Sequence, residues 1–266
     1  MFQNISRFKT PVSYPIKQFV RGFAVKELPW CKPSSKISND RNALDGKEAN
    51  SEDKHTIGCI PCSISENSDN FKFGVIAAMD ESRIIGINGD LPWKIPEDRL
   101  HFEDITRDKI LILGKNSFME REDFSHLEHL DKAIVISTSL QEEDCASIRD
   151  KVVIARSFEE AVDMANTLQS LKSDSDKKGE RELDVWIGGG QLIYEKSLRH
   201  PCAHEIHLTT VHTKSEVDLS KERVSYFPAK YRWDNTFKEV PSLRRESKDL
   251  ERGLTYTFTV HKRLQR

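Results

Sequence analysis

The stretch VVIARSFEEAVDMANTL, residues 152–168, contains a strand pattern followed directly by a helix pattern. Residues 152–155 form a short apolar run of the kind found in buried strands. Ser157 and Glu160 then form the S-x-x-E pattern of a helix capping box. The apolar residues that follow recur at the spacing of one helix face: Ala161, Val162, Ala165 and Leu168. This unit indicates a fold in which strands and helices alternate.

Similar apolar runs occur before and after this unit: FKFGVIAAM (71–79), ILILG (110–114), AIVIS (133–137), DVWIG (184–188) and EIHLTTV (205–211). Short runs that are apolar throughout are typical of strands covered on both faces. The sequence therefore predicts an α/β domain with a mostly parallel sheet. Near the end, residues 231–240 and 255–263 are predicted to form a closing antiparallel pair.

The composition excludes several classes of protein. The 266 residues are 37% hydrophobic and 32% charged, with a formal net charge of −2, so general affinity for nucleic acid is not expected. No apolar window approaches 18 residues, and no membrane span is expected. The odd set of five cysteines favours a reducing compartment. Cys59 and Cys62 lack the second pair that a zinc site needs and are interpreted as part of a linker, with a redox or metal role as the alternative.

The first 70 residues differ from the rest of the chain. Residues 1–26 contain five Lys or Arg residues and no acid, as in a transit peptide, with the mitochondrion ahead of the plastid. The alternative is a disordered basic tail on a cytoplasmic protein. Residues 27–70 are rich in polar and charged residues, which predicts a disordered linker. We therefore predict an extension over 1–70 and a folded domain over 71–266.

The segment GINGDLPWKIPEDRLHF, residues 86–102, combines turn signals with a helix start. Asn88-Gly89-Asp90 predicts a turn, and Pro96 suits the first position of a helix. Asp98 and Phe102 then share one helix face. Asp98 is either a surface acid that complements the helix dipole or an acid in a partly dry pocket with a raised pKa.

Several strand ends carry groups that bind anions. Lys115-Asn116-Ser117 follows one strand, Ser137-Thr138-Ser139 ends another and Arg156 ends a third. In WIGGGQLIYE, residues 186–195, three glycines lie between a strand and a helix, where phosphate often binds. Each feature alone is also compatible with a solvated strand end or a structural turn. Together they predict a cofactor that carries phosphate. The pair His126 and His129 lacks an evident third ligand, and no metal is expected.

These segments, in this order, resemble the dihydrofolate reductase family over residues 72–264. The resemblance implies an α/β fold with an eight-stranded, mostly parallel sheet flanked by helices and closed by an antiparallel C-terminal strand. It also implies hydride transfer from NADPH to 7,8-dihydrofolate in a protein expected to be a monomer. The alternatives are a reductase of another pteridine or of a riboflavin-pathway pyrimidine, and a binding protein that has lost turnover.

The resemblance assigns roles residue by residue. The catalytic group would be Asp98, Trp93 and Thr209, and residues 86–93 would form a mobile lid. The substrate would be bound by Ala78, Asp98, Arg99, Phe102, Gly188 and Thr209. The cofactor would be bound by Ala78, Ile85, Gly86, Gly114, Lys115, Asn116, Ser117, Ser137, Thr138, Arg156, Gly189, Gly190, Gln191, Leu192 and Tyr194. Gly189 and Gly190 match a pair joined by a cis peptide bond.

Two departures from the family pattern lie where the glutamate tail of folate would bind. The arginine that usually binds the tail carboxylate is replaced by Asp131, and the usually apolar residue after the catalytic acid is Arg99. One explanation is that Arg99 binds the tail instead. The other is that Arg99 pairs with Asp131 and closes that end against any tail.

Overall fold

The computed structural model describes residues 71–172 and 183–264. The predicted extension over 1–70, including Cys59 and Cys62, lies outside the described residues. The strands are β1 (Phe73–Asp80), β2 (Ile84–Ile87), β3 (Ile110–Gly114), β4 (Lys132–Ile136), β5 (Val152–Ala155), β6 (Val185–Gly189), β7 (Ala203–Val211), β8 (Val224–Tyr226), β9 (Phe237–Glu239), β10 (Arg245–Asp249) and β11 (Leu254–Arg263). The α-helices are α1 (Pro96–Thr106), α2 (Lys115–Phe118), α3 (Phe158–Lys172) and α4 (Gln191–Arg199).

The main sheet has the strand order β10-β11-β7-β1-β6-β3-β4-β5. The strands from β7 to β5 in this order are mutually parallel. β11 runs antiparallel to β7, and both β10 and the short strand β9 run antiparallel to β11. The predicted fold class is confirmed: eight strands lie in one continuous order, mostly parallel, with antiparallel strands at the C-terminal edge.

Helices cover both faces of this sheet. Successive strand residues point to opposite faces, so each strand contributes side chains to both. On one face, Ile110 and Ile112 of β3 pack in a cluster with α3 and α4. On the other face, Leu111 and Leu113 pack in a second cluster with α1 and with Phe118 of α2. The strands are therefore apolar throughout, as the sequence pattern indicated. None of the described helices is long and apolar enough to cross a membrane.

The sequence patterns did not reveal β2, β8 and β10. The strand β10 has the sequence RESKD and is largely exposed, so main-chain pairing with β11 rather than burial defines it. The predicted strand over 231–240 is correct only for Phe237–Glu239, since Lys230–Arg232 forms a 3₁₀ turn. Strands of three or four residues are too short, and polar edge strands too polar, to show a hydrophobic period that a sequence could reveal.

The helix α1 packs on the sheet through His101. Its ring lies 4.5 Å from that of Phe258 in β11 and 6.2 Å from that of His207 in β7, measured between centroids. Burial is the main cause that lowers the pKa of His101 to about 4, and the positive charges of His207 and Arg245 add to it. His101 is therefore neutral at physiological pH and serves as part of the packing between α1 and the sheet.

The lowered pKa of His101 predicts a loss of stability in acid. An unfolded chain takes up this proton near pH 6.5, whereas the folded chain takes it up only near pH 4. Between those values the unfolded state binds more protons, so the free energy of unfolding falls as the pH falls. We expect His101→Phe to reduce this slope in urea titrations from pH 7 to 4. The exposed His212, changed to Gln, is the control, and an unchanged slope in His101→Phe would contradict the prediction.

Gly74 of β1 is required because the Trp186 indole of the neighbouring β6 lies across it. A Cβ at position 74 would lie 2.4 Å from Cζ3 of that ring. We expect Gly74→Ala to destabilise the protein by about 1–3 kcal/mol, as overpacking does. The thermal midpoint would fall by roughly 2–4 °C for each kcal/mol. In the Trp186→Leu background the same change is expected to cost less, and an equal cost in both backgrounds would exclude this contact as the cause.

Candidate active site

The first turn of α1 lies over the sheet at Asp98. Pro96 begins the helix and Glu97 and Asp98 follow in its first turn, as the sequence predicted. The Asp98 carboxylate accepts a hydrogen bond from the hydroxyl of Thr209. Thr209 is buried in β7, where it is paired with Ala78 of β1 on one side and with Phe258 of β11 on the other. Three residues assigned to the site thus meet at one level of the sheet.

Of the two alternatives that the sequence left for Asp98, the structure supports the acid that is shielded from water and has a raised pKa. Burial is the largest influence and raises the pKa of its carboxyl group above the usual 3.8. The negative charge of Glu97 raises it further, while the hydrogen bond from Thr209 acts in the opposite direction. A carboxyl group held in this way is suited to exchange a proton with a bound ligand.

Trp93 packs against β7, which carries Thr209, and against the neighbouring β11. Its side chain is only 6% exposed and packs with Ile95, Val211, Tyr256 and Phe258. The indole Nε1 is buried and has no acceptor among the described protein atoms. Since buried donors are nearly always bonded, this N–H is suited to a water or a ligand atom in the site.

The predicted lid, residues 86–93, is held at its base by a small second sheet. Gly86 and Ile87 of β2 pair with Ser225 and Val224 of β8. Asn88 exchanges two hydrogen bonds with the backbone of Arg223, at 2.8 and 3.0 Å. Asn88 and Gly89 both have positive φ values, which confirms the predicted turn. Ile85, assigned to the cofactor, is half-buried against the core from β2.

The three glycines after β6 form the junction with α4. The peptide bond between Gly189 and Gly190 is cis, as the resemblance implied. Gly189 has a φ of 114°, and a Cβ there would lie 3.0 Å from the Tyr194 hydroxyl oxygen, so both the backbone and the space require glycine. Gly188 lies half-buried in β6, while Gly190 borders open space.

The residues of α4 that were assigned to the cofactor differ in burial and in their hydrogen bonds. The Tyr194 hydroxyl is buried and donates to the carbonyl oxygen of Ile76 at 2.8 Å, and burial raises its pKa. The Gln191 side chain accepts a hydrogen bond from the backbone N–H of Tyr226 at 2.9 Å. Leu192 is 73% exposed. Gln191 therefore joins the start of α4 to β8 and hence to the base of the lid.

The ends of three neighbouring strands meet as the sequence predicted, because Gly114 of β3, Ile136 of β4 and Ala155 of β5 are paired in register. Lys115 Nζ donates to the Ser139 hydroxyl at 3.0 Å. Arg156 donates to the carbonyl oxygens of Ser137 and Leu140, each at 2.8 Å. The Ser137 hydroxyl is buried and accepts hydrogen bonds from backbone N–H groups. The remaining residues assigned to this end lie at its surface: Asn116 and Thr138 are exposed, and Ser117 is half-buried.

The departures from the family pattern have separate partners. Arg99 forms an ion pair with Glu103 at 2.8 Å, and Asp131 forms one with Lys172. The explanation in which Arg99 pairs with Asp131 is therefore wrong, because each side chain has another partner. Phe102 is half-buried and meets the His129 ring edge-on at a centroid distance of 5.8 Å.

His126 and His129 do not converge. The His129 ring nitrogen is 2.7 Å from the Thr106 hydroxyl, whereas His126 lies against the backbone of Ser117. In the described part of the chain no group of three or more His, Cys, Asp or Glu side chains could hold a metal ion.

Sequence reasoning missed the partners of the first turn of α1. Arg245 and Ser247 of β10 and Tyr256 of β11 all bond to Glu97. They lie about 150 positions further along the chain. No local signal in a polar strand such as RESKD indicates this contact.

Comparison with known proteins agrees with this geometry. Residues 72–263 match the model of the dihydrofolate reductase family. The chain is 27% identical to the dihydrofolate reductase of Drosophila melanogaster over 176 residues, which are 64% of this chain and 84% of that protein. It is 24% identical to dihydrofolate reductase type A13 of Escherichia coli over 197 residues, which are 73% of this chain and 98% of that protein.

A solved structure supports the same fold. The dihydrofolate reductase of Enterococcus faecalis, complexed with NADP(H) and RAB-propyl, superposes with a TM-score of 0.53 at 22% identity. The match covers 73% of this chain and 97% of that one. The span matched by the family model begins before β1 and ends with β11, and it includes Asp98, Thr209 and the cis pair. The chain belongs to the dihydrofolate reductase family.

Proposed function

We propose that this protein reduces 7,8-dihydrofolate to tetrahydrofolate with NADPH, in the service of one-carbon metabolism. The observation that carries the proposal is the Asp98 carboxyl group, which accepts a hydrogen bond from Thr209 and whose burial raises its pKa. A carboxylate there faces two N–H donors of a pterin, the 2-amino group and N3, and binds them as a bidentate acceptor. Its proton equilibrium favours protonation at N5 of the ring.

The residues at the other end of the cleft fit NADPH. Lys115 and Arg156 supply cations at the ends of β3 and β5, and Thr138 adds an exposed hydroxyl. Gly190 opens the N-terminus of α4 toward free space, where backbone N–H groups favour a phosphate. When bound, NADPH supplies the hydride. The cationic strand ends favour it over NADH, which lacks the additional phosphate.

The remaining groups orient the ring and exclude water. Phe102 stacks on the substrate from α1, while Trp93 offers its unbonded Nε1 to the substrate or to a bound water. The lid over residues 86–93 closes above the ring and keeps the site dry. Ala78 and Gly188 line the pocket floor from β1 and β6.

The tail of the substrate is proposed to bind at Arg99. With Asp131 paired to Lys172, Arg99 is the cation that follows the catalytic acid, and its side chain is 45% exposed. The specific alternative is a reductase of a pteridine without a glutamate tail, which Asp131 favours because it replaces the usual arginine. A riboflavin-pathway pyrimidine is a further alternative substrate.

One assay tests the proposed function. NADPH oxidation is followed optically with dihydrofolate, with a dihydropterin that has no tail, and with a riboflavin-pathway pyrimidine. Turnover of dihydrofolate is the expected result. Turnover of another substrate alone identifies a different reductase, and tight NADPH binding without any turnover indicates a binding protein.

The location proposed for this activity is the mitochondrion. The support is the composition of residues 1–26, which carry positive charge without an acid. The protein is proposed to act as a monomer on small molecules.

Asp98→Asn is expected to separate activity from stability. The amide still accepts from Thr209 but cannot supply a proton, so kcat/KM for dihydrofolate should fall by about 10²-fold or more. Burial makes the ionised form of Asp98 costly, and the amide has no ionised form, so the variant should be more stable than wild type at pH values above the pKa of Asp98. Because the folded pKa is raised, this advantage should shrink as the pH falls toward 3.8.

The control for Asp98→Asn is Asp104→Asn, which changes an exposed acid of the same helix. Urea titrations at several pH values measure the free energy of unfolding, and steady-state kinetics measures kcat/KM. If Asp98→Asn keeps the wild-type kcat/KM, Asp98 takes no part in the mechanism.

Arg99→Leu is expected to raise KM for dihydrofolate several-fold and to leave KM for a tailless dihydropterin unchanged, because only the first substrate carries the tail carboxylates. Arg107→Leu, at the end of the same helix, is the matched control. Equal effects of Arg99→Leu on both substrates would exclude tail binding by this residue.

A further inference from the structure

Glu97, the neighbour of the catalytic acid, is the most heavily bonded side chain of the first turn of α1. Its Oε2 accepts hydrogen bonds from the hydroxyls of Ser247 and Tyr256, both at 2.6 Å. Its Oε1 accepts from the guanidinium of Arg245, with which it forms an ion pair. All three donors lie on β10 and β11, so Glu97 connects the helix to the antiparallel edge of the sheet.

These donors belong to the same part of the sheet as Thr209. Arg245 of β10 is paired with Phe258 of β11, and Phe258 is paired with Thr209 of β7. The Arg245 guanidinium also stacks on the Phe258 ring, 4.1 Å from its centroid. Ser247 and Tyr256 form the next cross-strand pair on the same face.

The contacts form a closed circuit. Asp98 is bonded to Thr209, which is paired with Phe258. Phe258 is paired with Arg245, and Arg245 bonds to Glu97, the residue before Asp98 in the helix. A side chain that is fixed on both sides in this way has little freedom to turn, which is the condition for a preorganised catalytic group.

We propose that Glu97 is the positioning residue of this site. Through Arg245, Ser247 and Tyr256 it holds the first turn of α1 on the sheet, and it keeps a negative charge next to Asp98. The proposal rests on the proposed function only where it concerns turnover.

The two adjacent carboxylates have opposite environments. Hydrogen bonds from Ser247 and Tyr256, with the charge of Arg245, lower the pKa of Glu97 to about 2. Glu97 therefore stays ionised wherever the enzyme works, and its charge favours the protonated form of Asp98. The titratable and charged groups around the pair are His101 of α1, Tyr194 of α4, Arg245 of β10 and Tyr256 of β11. Divergent carboxyl groups of this kind are how enzymes assign acid and base roles.

The test removes the charge of Glu97 and keeps its shape. In Glu97→Gln, we expect the Asp98 titration to move to lower pH, because a nearby like charge is lost and Arg245 is left unneutralised. The carboxyl carbon of Asp98 is followed by ¹³C NMR in the protein without substrate, and Asp98→Asn assigns its signal. Asp104→Asn, which removes a charge from the exposed side of α1, is the matched control and should leave the titration unchanged.

A second variant separates position from charge. Tyr256→Phe with Ser247→Ala removes two hydrogen bonds to Glu97 but retains its charge. We expect kcat for dihydrofolate to fall several-fold across the pH range while the affinity for NADPH, measured by fluorescence, is unchanged. Wild-type kcat in this double variant would overturn the positioning role.

The outcomes distinguish this proposal from the proposed function. If the wild-type protein does not turn over dihydrofolate, the function is wrong, and the NMR titration still decides whether Glu97 controls Asp98. A folded Glu97→Gln variant with an unshifted Asp98 titration overturns the electrostatic part of the proposal. A shifted titration, with the acid limb of the pH–rate profile moved to lower pH by the same amount, supports it.

Discussion

The structure around the site depends on how α1 begins. Two acids in succession, at the N-terminus of a helix, would ordinarily face water and complement the helix dipole. Here each one instead has its own donors on the sheet, Thr209 for Asp98 and Arg245 with its two hydroxyl neighbours for Glu97. Because these donors are fixed in paired strands, the helix is held in one rotational position. This rotational position of α1 also determines where His101 and Phe102, one turn later, are placed.

This arrangement explains which parts of the chain could be predicted from sequence. The bounds of β3 and β5 agree with the apolar runs, because both runs are apolar and their pattern is local. Pro96 and the Asn88-Gly89 turn are likewise set by backbone preferences that single residues carry. The strand β10 carries no such signal, and the partner of Glu97 lies 148 positions away. Contacts of that range are determined by the assembled sheet.

The same reasoning applies to the two departures at the tail end. A sequence places Arg99 and Asp131 in the same region and thereby suggests that they pair. In the structure, Arg99 bonds one turn along its own helix, and Asp131 bonds to the end of α3. Opposite charges pair with whichever partner the backbone brings nearest, and an i,i+4 acid is always near. The arginine therefore lies on the exposed side of α1.

The small sheet of β2 and β8 connects one end of the predicted lid to the rest of the described structure. The backbone N–H of Tyr226 in β8 also bonds to Gln191, the first residue of α4. Residues 86–88 are therefore held by β8, and β8 is held in turn by the first residue of α4. A displacement of β8 would therefore move the segment before α1 and the start of α4 together, so these two parts of the chain are mechanically coupled.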